Sequence, residues 1–351
     1  MATQHPIPVA VLGATGAVGQ RFIQILEHHP WFKVTEVVAS DRSAGQRYQD
    51  AVRWVLHGNP PDQVAGLTVL PLDADLQARI VFSALPSDVA KTVEWRLAER
   101  GHMVCTNAST YRMLDEAPIL LPEINADHAA LVTVQRQKYG WTGGIVTNSN
   151  CTAAPVAMAL APLRQYGIEA AQIVSLQAVS GAGYPGVPSL DILDNVIPFI
   201  NGEEPKLEIE PRKMLGTLAS DHIDLLDCVM SATCTRVAVL DGHLVSVSVR
   251  FTEPVSEEQI LAAWASFTGP DPVPGLPSAP AHPLVVRSEP DRPQPRRDRE
   301  TGNGMSSVVG RLRPCPVMGG WKFVALSHNT MRGAAGCSVL NAELLIENGY
   351  V

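Results

Sequence analysis

A glycine-rich turn, Gly13-Ala14-Thr15-Gly16-Ala17-Val18-Gly19, stands directly between an apolar run, Val9 to Leu12, and a segment of helical periodicity, Val18 to Glu27. That order leaves a chain few options. A buried strand must feed a helix through a turn too tight for ordinary side chains. A second Val-rich run, Val34 to Ala39, completes a βαβ unit, and the short runs Ile80 to Ala84 and Met103 to Thr106 flank a helix-like Ser87 to Arg100. Right-handed crossovers would set these strands in one parallel sheet. The first half thus reads as α/β, a Rossmann-type doubly wound parallel sheet.

Near Ile145 the pattern changes. Ile145-Val146-Thr147 runs into Asn148-Ser149-Asn150-Cys151 and an Ala-rich helical stretch through Gln165. Longer alternating runs follow at Ile173 to Val179, Leu244 to Phe251 and Lys322 to Leu326, as expected of an α+β catalytic and dimerisation domain with a mixed sheet. A length of 351 residues suits two such domains. The expected division is residues 1–150 for the nucleotide and 151–330 for catalysis and dimerisation. Prolines crowd Gly269 to Arg299, which predicts an extended crossing segment, and the closing stretch from Gly333 to Glu347 reads as an amphipathic helix with Leu340, Leu344 and Leu345 on one side. A tail over 331–351 would rejoin the first domain.

Composition narrows the function. With 27 basic and 35 acidic residues the net charge is −8, which argues against a surface built for nucleic acid or anionic lipid. No apolar run approaches the roughly 20 residues that span a bilayer. The opening Met1 to Pro6 lacks the basic and apolar regions of a secretory signal, so the expected location is the cytoplasm. Six cysteines, at 105, 151, 228, 234, 315 and 337, form no C-x-x-C pair and no zinc spacing. The expectation is reduced thiols and no metal, five of them packing and one a nucleophile.

In the glycine turn, Gly13, Thr15, Gly16, Ala17 and Val18 would bring backbone N–H groups and a helix N-terminus to a dinucleotide pyrophosphate. The alternative is that the glycines serve only a tight turn. At the end of the second strand Arg42, flanked by Ser40 and Ser43, suits the 2′-phosphate of NADP, although Asp41 beside it would repel that group and a merely solvated turn is the other reading. Ser83, Leu85 and Pro86, after a later strand, would line the same crevice.

Cys151 lies between a strand end and a helix beginning Thr152-Ala153-Ala154-Pro155. A thiol there would feel the helix dipole, which favours the thiolate, and nearby N–H groups could hold an oxyanion. Its proton acceptor must come from ten histidines. His243 is the best placed, because Asp241-Gly242 signals a turn that would expose it, while His5, His28, His29, His57 and His282 read as surface by context. Arg236, seven residues before His243, could present a carboxylate-binding fork to the same cleft.

Taken together, Gly13 to Gly19, Asn148-Ser-Asn-Cys-Thr152, Ser180-Gly-Ala-Gly-Tyr-Pro-Gly186, Arg236 to His243, Asp291 to Arg296, Gly302 to Ser306 and His328-Asn-Thr-Met-Arg-Gly-Ala-Ala-Gly336 cover nearly the whole chain. This set resembles the aspartate-semialdehyde dehydrogenases, in particular the branch of archaea and fungi. The resemblance implies NADPH-dependent reduction of L-aspartyl 4-phosphate to L-aspartate 4-semialdehyde and phosphate, a step toward lysine, methionine and threonine. It implies that Cys151 forms a thioester, that His243 is the general acid/base and that Gln177 orients the reacting group. For the substrate it implies Arg236 at the α-carboxylate, Glu210 at the amine, Lys213 and Arg112 at the phosphate, and Asn150 beside them. Asn329 would contact the nicotinamide carboxamide, and Ser180, Gly181 and Gly183 would belong to the cofactor site. It further implies a homodimer or homotetramer formed across the second sheet. Two other readings stay open: a malonyl-CoA reductase of the same fold, and a non-catalytic NADP-sensing protein.

Overall fold

The computed structural model describes residues 6–351, so His5 and most of the opening stretch used to argue for the cytoplasm lie outside it. Within it, β1 (Ile7–Leu12), β2 (Phe32–Val38), β3 (Val69–Leu70), β4 (Ile80–Ser83), β5 (Met103–Thr106) and β6 (Gly144–Thr147) form one sheet in the order β3-β2-β1-β4-β5-β6. Every pairing in it is parallel. Both faces are covered, which is why β4, β5 and β6 are buried at every residue and read as unbroken apolar runs. The helix Ala17–Leu26 buries Gly19, Phe22, Ile23 and Leu26, a spacing that keeps one stripe on the sheet. Strand order reverses between β1 and β4. A crevice at such a switch point is where this architecture takes its ligands.

After the two-residue pair β8 (Thr217–Leu218) and β9 (Ile223–Asp224) is set aside, the second half is one six-stranded sheet. It contains β7 (Ile168–Gln177), β10 (Val229–Arg236), β11 (His243–Phe251), β12 (Leu284–Arg287), β13 (Ser307–Cys315) and β14 (Gly320–Ser327), ordered β10-β7-β11-β14-β13-β12. Parallel pairs at both edges, β10 with β7 and β12 with β13, enclose antiparallel ones, so the sheet is mixed. Strand β11 alternates buried and half-buried residues: one face rests on the core formed with Trp264, Phe323 and the helix Ala153–Leu160, and the other is open.

Three local expectations shift. Strand β7 begins at Ile168, five residues before the apolar run that announced it, and ends at Gln177, because Val179 already belongs to a 3-10 turn, Val179–Ala182. Cys315 closes β13 and is buried. The last helix starts at Gly336, behind a π turn over Met331–Ala335. It is not amphipathic: every residue from Gly336 to Leu345 is buried, since the helix packs on β4 and β5 and against the helices Ala17–Leu26 and Pro122–Asn125. Val339, Leu340, Leu344 and Leu345 join Val9, Phe22, Ile80 and Phe82 in a single core, so the end of the chain does return to the first sheet. The proline-rich stretch contributes the edge strand β12 and short helical turns at Val273–Gly275 and Pro295–Asp298. Among the described residues no helix is long and apolar enough to cross a membrane.

Candidate active site

The glycine turn closes on its neighbours so tightly that side chains are excluded. Gly13 has φ of +69°, and a Cβ there would stand 2.7 Å from the carbonyl oxygen of Ala84; one on Gly19 would stand 2.1 Å from that of Gly13. Helix Ala17–Leu26 therefore starts hard against the end of β1, with Gly16 as its N-cap. Tyr48 Oη donates to Ala14 O at 2.9 Å and Gln20 Nε2 to Thr15 O at 2.9 Å, holding the turn from outside. Thr15, Ala17 and Val18 remain partly open. The shape fits a dinucleotide pyrophosphate: bare backbone beside a helix N-terminus.

At the end of β2, Ser40 and Arg42 are exposed and Ser43 half-buried in one turn. Leu85 is buried and Pro86 exposed at the next helix start. Ser83 differs from expectation. Its hydroxyl faces inward and donates to Glu94 Oε1 at 2.6 Å, as does that of Thr106. Burial pushes the Glu94 carboxyl up to about 7 against the pull of these two bonds. Ser83 therefore offers the crevice no side chain.

The nucleophile segment is tied at each residue. Asn148 Nδ2 donates to Asn107 Oδ1 at 2.8 Å and to Ala334 O at 2.6 Å. Asn150 Oδ1 accepts the N–H groups of Thr152 and Ala153 at 2.8 and 3.3 Å, and Nδ2 donates to Glu203 Oε2 at 2.8 Å. Cys151, half-buried, follows on this rigid turn. The side chain of Asn150 thus takes the two helix N–H groups that were expected to meet an oxyanion. Burial pushes the Cys151 thiol up to about 12; Glu203 adds to this, while Arg112 and Arg236 pull the other way. In the free site the sulfur rests as a thiol, contrary to the expectation of a thiolate.

Three strand ends face this turn. Gln177 ends β7 beside Arg236, its register partner at the end of β10, and β11 begins with His243 next to them. Arg236 Nη1 donates to Ala178 O at 2.7 Å. His243 is fully buried rather than exposed, because the Asp241-Gly242 turn tucks it under the 3-10 turn that carries Gly181. A Cβ on Gly181 would lie 2.9 Å from His243 Nε2 and 2.8 Å from Arg236 Nη1. The backbone N–H of Ala178 donates to His243 Nδ1 at 3.1 Å. The neutral ring therefore carries its proton on Nε2, which has no partner. Burial, then Arg236 and His328, push the imidazole down to about 3, so it is a neutral donor. Asn329 braces the same turn: Oδ1 accepts Gly242 N–H and Nδ2 donates to Ser180 Oγ, each at 2.8 Å. Gly181 and Gly183 are exposed beside it.

Helix Glu203–Met214 supplies the remaining charges. Arg112 Nη1 donates to Glu210 Oε1 at 2.9 Å, and Glu210 Oε2 accepts Asn150 N–H at 2.5 Å. Both carboxylate oxygens are engaged inside the protein, an arrangement that orients Arg112 more readily than it captures an amine. Lys213 departs further from expectation. Its Nζ donates to the carbonyls of Arg112, Leu114 and Ala117 at 2.8, 2.7 and 2.9 Å, which uses all three N–H bonds, and the side chain is buried. It fastens the Arg112 loop and leaves nothing for a phosphate. Burial lowers its ammonium to about 8, against the acidic Asp115, Glu116 and Glu210.

Glu203, Tyr48 and Asn107 were not singled out from the sequence. Glu203 had a signal: it lies seven residues, two helical turns, before Glu210 and so on the same face. His29, assigned to the surface, instead pairs with buried Glu343 at 2.7 Å.

Two family models match in tandem, the semialdehyde dehydrogenase NAD binding domain over residues 8–132 and the semialdehyde dehydrogenase dimerisation domain over residues 160–332. An aspartate-semialdehyde dehydrogenase of Archaeoglobus fulgidus is 50% identical over 98% of this chain and 99% of its own. A malonyl CoA reductase (NADP) of Metallosphaera sedula is 38% identical over 99% of each. The crystal structure of aspartate semialdehyde dehydrogenase with NADP from Candida albicans superposes with a TM-score of 0.90 at 36% identity, covering 99% of this chain and 100% of that one. With the glycine cradle, the cysteine turn and the charged strand ends all in place along a full-length match, the chain belongs to the aspartate-semialdehyde dehydrogenase family, in its archaeal and fungal branch.

Proposed function

We propose that the protein reduces L-aspartyl 4-phosphate to L-aspartate 4-semialdehyde with NADPH, through a thioester on Cys151, in the synthesis of lysine, methionine and threonine. The observation that carries this reading is that Cys151, packed against Gly333 on its turn, has both the Arg112 and the Arg236 guanidinium close enough to act on its thiol, each opposing the effect of burial. A substrate with an anion at each end would lie across the sulfur. Arg236 would hold the α-carboxylate and Arg112, beside Asn150, the phosphate. Glu210 would aim Arg112 rather than meet the amine. Residues 1–150, with 331–351, would hold the cofactor, and residues 151–330 the substrate.

In the first step the Cys151 sulfur bonds to the acyl carbon and the C–O bond to phosphate breaks, with the electron pair leaving on phosphate, which takes up the thiol proton and departs as hydrogen phosphate. Arg112 stabilises the departing charge. NADPH held by the glycine turn and the crevice beside it would supply the hydride that takes the thioester carbon to the aldehyde level. His243 offers its Nε2 proton as a hydrogen bond to the oxygen that gains negative charge, the acid half of an acid/base role, worth about 10²–10⁴ in rate. Gln177 lies between His243 and Arg236 in the sheet and would orient the same oxygen. When the C–S bond breaks, the aldehyde leaves and Cys151 is restored. For the cofactor, the turn at Gly13, Thr15, Gly16, Ala17 and Val18 would take the pyrophosphate, Ser40, Arg42 and Ser43 the 2′-phosphate, and Leu85, Pro86, Ser180, Gly181 and Gly183 the rest of the crevice. Asn329 would reach the nicotinamide only through the turn it braces.

A homodimer or homotetramer is supported by apolar side chains left exposed on the second half, among them Val174, Val229, Leu193 and Phe199. The 38% identical malonyl CoA reductase keeps a second substrate in view. One assay tests both: initial rates with L-aspartate semialdehyde, phosphate and NADP or NAD, against malonyl-CoA with NADPH. Phosphate-dependent NADPH formation that disappears in Cys151→Ala, with NADP binding retained, supports the reading. Turnover of malonyl-CoA alone would replace it, and no turnover of either would favour a sensor.

A further inference from the structure

One short segment touches three parts of the site. Asn329 holds the turn before His243, Ala334 O accepts from Asn148, and Gly333 lies against the nucleophile itself. A Cβ on Gly333 would stand 2.7 Å from Cys151 Cβ and 2.9 Å from its Cα. Between these contacts the backbone makes a π turn, with Gly333 N–H bonding to His328 O and Ala335 N–H to Thr330 O, both at 3.1 Å. A π turn is a rare, locally unfavourable form that persists where surrounding structure imposes it.

What imposes it is a pair of charges outside the machinery described above. Arg332, at the centre of the turn, has no exposed surface, and its fork meets the equally buried carboxylate of Glu123, Nη1 to Oε2 at 2.9 Å and Nη2 to Oε1. Arg332 Nε donates to Met305 O at 2.6 Å, and its backbone N–H to Gly304 O at 3.2 Å. Four directed hydrogen bonds therefore fix the residue next to Gly333 in position and rotation. A buried ion pair is poor evidence of added stability, since well-packed apolar residues often do as well or better. What an apolar pair cannot supply is direction.

We propose that Glu123 and Arg332 are positioning residues: their buried fork holds the π turn so that Gly333 sets the Cys151 backbone, and Asn329 sets the His243 turn, in one mutual register. Neither residue touches the substrate. The inference rests on Cys151 being the nucleophile. It gives the pair a kinetic signature. Loosening the turn moves sulfur relative to the acyl carbon, and a misplacement of about 1 Å can cost about 100-fold in rate.

The test uses the full-length protein in three variants. Arg332→Lys keeps the charge and loses the fork. Glu123→Leu with Arg332→Met removes both charges and leaves no unpaired ion. Gly333→Ala keeps the pair and crowds Cys151. Measured for each are Tm, NADP affinity, KM for the semialdehyde, kcat, and the rate of Cys151 alkylation by iodoacetamide at one pH. The expected result is that folded variants keep NADP affinity and KM within about twofold, while kcat and alkylation both fall by about 10- to 100-fold. Any folded fork variant with wild-type kcat and alkylation overturns the proposal. So does a loss of kcat matched by equal losses of NADP affinity and Tm, which marks a purely structural pair. Should both fork variants fail to fold, Gly333→Ala decides by the same criteria. A Cys151→Ala control that still turns over would sink the covalent reading instead, so the two failures are separable.

Discussion

Arg112 and Asn150 share one buried carboxylate: Glu210 Oε1 takes the arginine Nη1 at 2.9 Å and Oε2 takes the asparagine N–H at 2.5 Å. A single side chain thereby joins the loop after β5 to the residue preceding Cys151. Glu210→Gln keeps the shape and one acceptor oxygen but leaves Arg112 without its counter-ion. Breaking a buried pair from one side costs about 3–5 kcal/mol. The expected outcome is a loss of that order in urea unfolding, together with a lower kcat/KM for the semialdehyde. Unchanged stability and kcat/KM would show that the carboxylate orients nothing.

Lys213 gives a sharper contrast, because two roles predict opposite readouts. As the fastener of the carbonyls at 112, 114 and 117, its replacement by Met strands three buried acceptors, each worth about 1–3 kcal/mol. Stability should fall while the phosphate KM changes little in whatever protein remains folded. A tenfold rise in phosphate KM with an unaltered Tm would return Lys213 to the anion.

The thiol carries a pH prediction. Its pKa is raised by burial to about 12, so below that value the thiolate fraction grows about tenfold for each pH unit. His243, pushed down to about 3, stays neutral through the working range and adds no step of its own. Alkylation of Cys151 in the free protein should therefore climb steadily from pH 6 to pH 10. A plateau near neutrality would mean that a partner ionises the sulfur in the resting site.

Cofactor preference turns on an exposed residue. Arg42→Ala should leave the fold intact and lower the ratio of kcat/KM for NADP to that for NAD, by about 10-fold if one charge-assisted contact of roughly 1.4 kcal/mol is lost. An unaltered ratio places the 2′-phosphate elsewhere.

The sequence-to-structure relation divides by distance along the chain. The glycine turn and Asn148 to Thr152 were legible because each is a local object: strand, turn and helix start follow within ten residues. The fates of polar side chains were not. Lys213 ends on carbonyls 96 to 101 residues away, and Ser83 turns inward toward a helix that only its own crossover places there. His243 looked exposed because a turn precedes it, yet the 3-10 turn that carries Gly181, more than sixty residues earlier in the chain, lies over it, which no local pattern encodes. The C-terminal leucines announced a helix correctly and misstated its surroundings, since periodicity cannot register a partner on the polar side.

The last helix has an implication for how the molecule is made. Val339 to Leu345 complete the same core as Val9 and Phe22, so the first sheet cannot close its core until the helix Gly336–Glu347 has been made. At about 5–20 residues per second, the interval from the end of β6 to that helix lasts on the order of 10–40 seconds. Throughout it the nascent cofactor half carries an open apolar groove, while the second sheet, encoded by one continuous stretch, is free to assemble. The half made earlier is the one whose core is completed later.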